Sequence, residues 1–94
     1  MNEFRLSWSL EKNEQLRRER GLCFEDVEQA LAGDGFIDDL PHPNRAKYPA
    51  QRLLIVCIDG YPCVVPYVRD GDVLFLKTVY PSRKLKTLLS GKSS

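Results

Sequence analysis

The chain has one histidine, one tryptophan and three cysteines. None of the cysteines forms a CxxC pair, so the donors of a tetrahedral zinc centre are missing. No apolar run reaches the length of a membrane-spanning helix, which excludes a membrane span of that kind. The opening stretch MNEFRLSWSLEKNEQ lacks the basic start and apolar segment of a signal peptide. Cys23, Cys57 and Cys63 stand in mostly apolar settings and read as reduced thiols, which points to a cytoplasmic protein. With 94 residues the chain reads as a single domain (1–94). A core this small leaves little room for a deep cofactor cavity, and no cofactor is expected. Internal repeats are absent too.

The most telling absence is acidic. Lys77 to Ser94 holds five of the fourteen Lys and Arg and none of the thirteen acids. Residues 1–35 carry eight acids against five bases, whereas residues 51–94 carry seven bases against three acids. The near-neutral total of +1 therefore conceals a dipolar molecule. A basic block beside an aromatic suits a polyanion such as RNA, because each cation paired with a phosphate releases a condensed counterion. The plain alternative is a solvated basic tail.

Local patterns place the elements. Phe4 to Trp8 alternates apolar and polar residues and reads as a short strand or an extended entry segment. Ser9 caps a helix expected over Leu10 to Arg20, largely exposed, with Leu10 and Leu16 as a thin apolar stripe; Gly21 stops it. Phe24 to Ala32 reads as a second helix, with Phe24, Val27, Ala30 and Leu31 on one face. Phe36 to Leu40 reads as a strand, and Pro41 to Pro49 as irregular. Arg52–Asp59, Tyr61–Arg69 and Asp72–Tyr80 are strand-like, and Asp59-Gly60 and Asp70-Gly71 signal hairpins, so an antiparallel meander is expected. Pro62 and Pro66 share a parity, so their missing N–H groups face one way, towards an edge or a bulge. Ser82 caps a short helix, Arg83 to Leu89, docked by Leu85, Leu88 and Leu89, and residues 90–94 read as a disordered tail. The expectation is an α+β domain: two N-terminal helices packed on an antiparallel sheet of about four strands, then a short C-terminal helix.

Two stretches carry a family likeness. Phe4, Trp8, Lys12-Asn13 and Leu16, followed by Gly21 and Phe24-Glu25-Asp26-Val27, resemble the BrnT family of type II toxins, small ribonucleases of RelE-like fold. Val79-Tyr80-Pro81-Ser82-Arg83-Lys84 is similar to that family's strand-to-helix motif. Ser9 stands where Asp or Asn is usual, Pro81-Ser82 where Ser-Ala is typical, and the HPNRAKYP loop has no family counterpart, which marks a divergent branch. The resemblance implies an RNA-cleaving toxin held inactive by an antitoxin from a neighbouring gene. It also implies a toxin–antitoxin complex that often binds its own promoter, so operator DNA is a further expected partner.

Metal-independent RNA cleavage needs a base near the 2′-OH, a cation on the pentacoordinate phosphate and an acid for the leaving 5′-oxygen. Arg83 matches the family arginine, and its guanidinium at a helix start can grip two phosphate oxygens; the alternative is a surface arginine. Tyr80 can stack on a base or donate a proton, or simply belong to the core. Lys12 matches the family's N-terminal lysine, or else pairs with a neighbouring glutamate. His42 has the side chain best suited to acid–base work at neutral pH, although a lone loop histidine is usually polar surface. Candidate RNA contacts are Lys77, Ser82, Lys84 and Lys86 around the junction, with Arg52, Lys47 and Tyr48 near the proline-rich loop. A cysteine nucleophile would need an exposed thiol of lowered pKa, and Trp8 reads as a packing anchor rather than an RNA platform. The competing reading is a non-catalytic module that uses the same basic surface to bind nucleic acid or an antitoxin.

Overall fold

The computed structural model describes residues 4–92, with side chains described for residues 4–88. In chain order the elements are β1 (Arg5–Ser7), α1 (Leu10–Arg20), α2 (Phe24–Ala32), β2 (Phe36–Pro41), β3 (Gln51–Ile58), β4 (Tyr61–Asp70), β5 (Val73–Leu76), β6 (Tyr80–Pro81) and α3 (Arg83–Lys92).

Caps set the helices. Ser9 accepts the Lys12 N–H at 3.2 Å on its hydroxyl, satisfying an orphan donor of the first turn. Gly21, at φ 68°, closes α1 in the left-handed conformation that a Cβ would oppose. On α1 only Asn13 and Leu16 are buried. Asn13 fastens α1 to the start of α2: its Oδ1 accepts the Phe24 N–H at 2.7 Å and its Nδ2 donates to Glu25 at 2.9 Å. That bond is the main reason the Glu25 carboxyl titrates below its usual range. At the entry to α2 the Cys23 N–H donates to the Asp26 carboxylate at 3.0 Å.

The strands form one sheet in the order β1-β5-β4-β3-β2, with β6 pairing β4 beyond the end of β5. The expected α+β arrangement over about four antiparallel strands is thus corrected to a mixed α/β fold with six strands and three helices. Two causes account for the difference. The short β1 pairs parallel with β5, Arg5 opposite Val73, a partnership between distant segments that no local pattern announces. The segment expected as one strand from Asp72 to Tyr80 is divided, with β5 ending at Leu76 and β6 starting at Tyr80. Pro62 and Pro66 explain the division. Their carbonyls accept from Ser82 at 3.0 Å and Lys77 at 2.8 Å, but neither proline can return the bond. The ladder breaks between them. β4 nevertheless lies inside the sheet, so the Pro-bearing strand is not an edge.

Alternation along β3 and β4 sorts the side chains into two faces. Leu54, Val56, Ile58, Cys63, Val65 and Tyr67 join Leu16, Phe24 and Val27 in the main core, each large apolar group stabilising the fold by about 1.5–3 kcal/mol. Ile55 and Val64 are buried on the other face. α3 runs to Lys92 rather than Leu89; of its expected docking residues Leu85 is half-buried and Leu88 exposed, and the Leu89 side chain lies outside the described ones. So do Ser93 and Ser94 of the expected disordered tail.

Candidate nucleic-acid interface

The strand-to-helix junction is built by Ser82. Its hydroxyl accepts the Leu85 N–H at 3.2 Å and its carbonyl accepts the Lys86 N–H at 3.0 Å. Arg83 and Lys84 follow in an exposed first turn that contains no acid. Among the described residues there are two ion pairs, Arg17–Glu25 and Arg52–Asp39. Lys77, Arg83, Lys84 and Lys86 belong to neither. Lys86 donates to the Gly60 carbonyl at 3.4 Å and stands 5.4 Å from the centre of the Tyr61 ring. Lys77 stands 5.3 Å over Phe75. Tyr80 is 38% exposed, which settles that it is not a core residue. Arg20 belongs here as well, although its sequence context does not mark it. Its guanidinium donates to the Val79 carbonyl at 2.8 Å, tying the end of α1 to the segment entering β6. Its place in a last helical turn is legible from the sequence; its reach to a segment 59 positions away is not.

The remaining candidates separate. Tyr80 pairs with Val64 and Phe75 with Val68, so both lie on the face turned away from the main core. His42 donates its N–H to the Gln51 carbonyl at 3.3 Å, accepts the Asn44 N–H on Nδ1 at 3.0 Å and packs its ring 4.6 Å from Tyr48. Lys47 stands 5.4 Å from that Tyr48 ring. Gln51 pairs with Val68, whereas Ser82 bonds to Pro62. His42 and Arg83 therefore sit at opposite ends of β4, roughly 20 Å apart at about 3.3 Å per residue. They cannot act on one scissile bond.

Lys12 and Arg52 lie on the helix side. Lys12 is in the first turns of α1, whose Leu16 packs in the main core. Arg52 donates to Asp39 at 3.1 Å and to its carbonyl at 3.2 Å, and the hydrogen bond to that carboxylate raises the Arg52 pKa. Tyr67, buried beside it, donates to the same carboxylate. Burial first, and this bond second, push the Tyr67 phenol up. A cavity of about 780 Å³ adjoins this network, with Phe4, Leu54, Tyr67, Arg69 and Leu74 in its lining.

The cysteines do not make a nucleophile. Burial pushes the Cys63 thiol up to about 11 and raises that of Cys23, the opposite of activation. Trp8 stacks on Phe24 at 5.4 Å as a packing anchor. Among the described residues no cluster of His, Cys, Asp and Glu could hold a metal ion, and no helix is long and apolar enough to cross a membrane. Comparison with protein-family models, with curated proteins and with solved structures returns no match to the chain.

Proposed function

We propose that this chain is the toxin of a type II toxin–antitoxin pair, a metal-independent endoribonuclease of the BrnT kind that acts in the cytoplasm and arrests growth by cutting RNA. The observation that carries the reading is the junction at Ser82, where Arg83 and Lys84 stand exposed at a helix start, outside both ion pairs of the described residues. Such cations keep their full attraction for phosphate. In cleavage the 2′-OH gives its proton to water and its oxygen bonds to phosphorus as the bond to the 5′-oxygen breaks, leaving a 2′,3′-cyclic phosphate and a 5′-oxygen that takes up a proton. Arg83 holds the phosphate oxygens as charge builds on them, the N–H groups of the first turn add to the same anion, and Tyr80 stacks on a base or supplies the proton. An acidic antitoxin segment would cover this surface by presenting carboxylates where phosphates bind, and the resulting complex would bind its operator DNA.

A second reading has one observation in its favour. The chain's one imidazole, His42, lies at the far end of β4 from Arg83, so the junction lacks that acid–base partner. A non-catalytic RNA- or antitoxin-binding module would need none.

Incubation of purified protein with RNA in EDTA tests the first reading. Cleavage is expected, with Arg83→Ala slower by about a hundredfold or more. Intact RNA at high protein concentration, together with growth arrest by Arg83→Ala equal to that of the parent chain, would overturn it. Salt-sensitive binding without cleavage selects the second reading.

A further inference from the structure

The face of the sheet turned away from the main core carries more than the junction. Phe75 on β5 pairs with Val68 on β4, and Val68 pairs with Gln51 on β3. The Gln51 carbonyl in turn takes the His42 N–H. These four residues form one row across the sheet, and alternation puts their side chains on one face. Three strand spacings of about 4.8 Å separate Phe75 from His42 by about 14 Å. Along the strands, Val68 to Val64 carries the same face from Phe75 to Tyr80, about 13 Å.

The occupants of this path alternate in kind. Tyr80 and the Arg83–Lys84 pair stand at one end, Lys77 over Phe75 at the corner, and Lys47 over Tyr48, whose ring packs tilted against His42, at the other end. Phe75 and Tyr80 are 37% and 38% exposed, enough to offer a ring face. Aromatic rings beside lysines suit splayed bases and the phosphates between them, a combination that holds single strands without reading their sequence. A duplex hides its base faces and cannot use the rings. Of the carboxylates that alternation assigns to this face, Asp70 lies beyond Val68, opposite Val73, and Asp38 lies on β2 at the far end of the row that runs from Tyr80 through Val64 and Ile55.

We propose that this face is a single-stranded RNA path with two poles, the Arg83 junction and the His42–Tyr48 loop, joined through Phe75 and Lys77. The proposal rests on the RNA reading above and adds a length requirement to it. The path from Tyr80 through Phe75 to His42 is about 27 Å long, about eight nucleotides at a stacked spacing of about 3.4 Å and fewer where the bases are splayed; a strand of about three reaches one pole only.

Fluorescence anisotropy with non-cleavable 2′-O-methyl oligonucleotides of about eight and about three nucleotides measures this. The longer strand is expected to bind more tightly. Tyr48→Ala and Lys47→Ala each weaken the longer strand alone, the tyrosine by about five- to a hundredfold, while Arg83→Ala weakens both. Equal affinity at the two lengths, or equal loss at both lengths on changing the loop, would overturn the two-pole path and leave the junction reading intact. Binding of duplex RNA or polyglutamate as tight as the longer strand would also overturn it. Absence of binding to any RNA would overturn both.

Discussion

Tyr67 on β4 donates its hydroxyl to the Asp39 carboxylate of β2, 2.9 Å from each oxygen. Arg52 of the intervening β3 bonds to the same group. An acid on an outer strand is thereby held by both strands next inward.

Tyr67→Phe keeps the ring and removes the bond. A loss of about 1.5–3 kcal/mol is expected in urea unfolding, because the acceptor is charged. The phenol's titration point is raised in the folded state. Its contribution is therefore complete below tyrosine's ordinary range and lost as pH climbs through the raised value. Stability of the parent chain should fall in strong alkali, and the Phe variant should lack this component.

Asn13→Ala should cost about 1–3 kcal/mol by thermal melting, since it strands the buried Phe24 N–H. Glu25→Gln should cost less, for that carboxylate is half-exposed.

Gly35→Ala should destabilise by about 1–3 kcal/mol. A Cβ at Gly35 would meet the Ala30 Cβ at 2.7 Å and the Cys57 carbonyl at 2.9 Å. Both belong to packed elements. A chemical melt of the purified variant checks this.

Arg83→Ala should reduce the dependence of RNA affinity on salt, lowering the slope of log K against log salt by about 0.7 for a single strand. Arg52→Ala should leave that slope unchanged, because its guanidinium is committed to Asp39. Equal effects from both would refute the division of the candidates between the two faces.

Cys63 should resist iodoacetamide at neutral pH in the folded chain and react once it is unfolded, as mass spectrometry can follow. A thiol 2% exposed with its pKa pushed up to about 11 presents almost no thiolate.

What could be read from residues alone was local. Ser9 and Gly21 marked both ends of α1, and Asp59-Gly60 marked a hairpin whose two turn residues take positive φ. The exposed cations at Arg83 and Lys84 were legible because no acid stands near them in the chain. Pairing between distant segments leaves no local mark, so neither β1 beside β5 nor the division of β5 from β6 is legible in the sequence. The site failed in the same manner. Arg52, Lys12 and His42 have suitable side chains, but only strand register reveals that the first two lie on the helix side and the third far from Arg83. Phe75 reads as one more strand aromatic until its pairing with Val68 turns it outward.

Pro62 also governs the start of α3. In an antiparallel pair of this type each residue both gives and takes a bond, so an ordinary residue at Pro62 would offer its N–H to the Ser82 carbonyl. Proline makes no such offer. The carbonyl goes instead to the Lys86 N–H, closing the first turn of α3. Restoring a donor at that position, as in Pro62→Ala, would set sheet and helix in competition for one oxygen, and the turn that presents Arg83 would fray first.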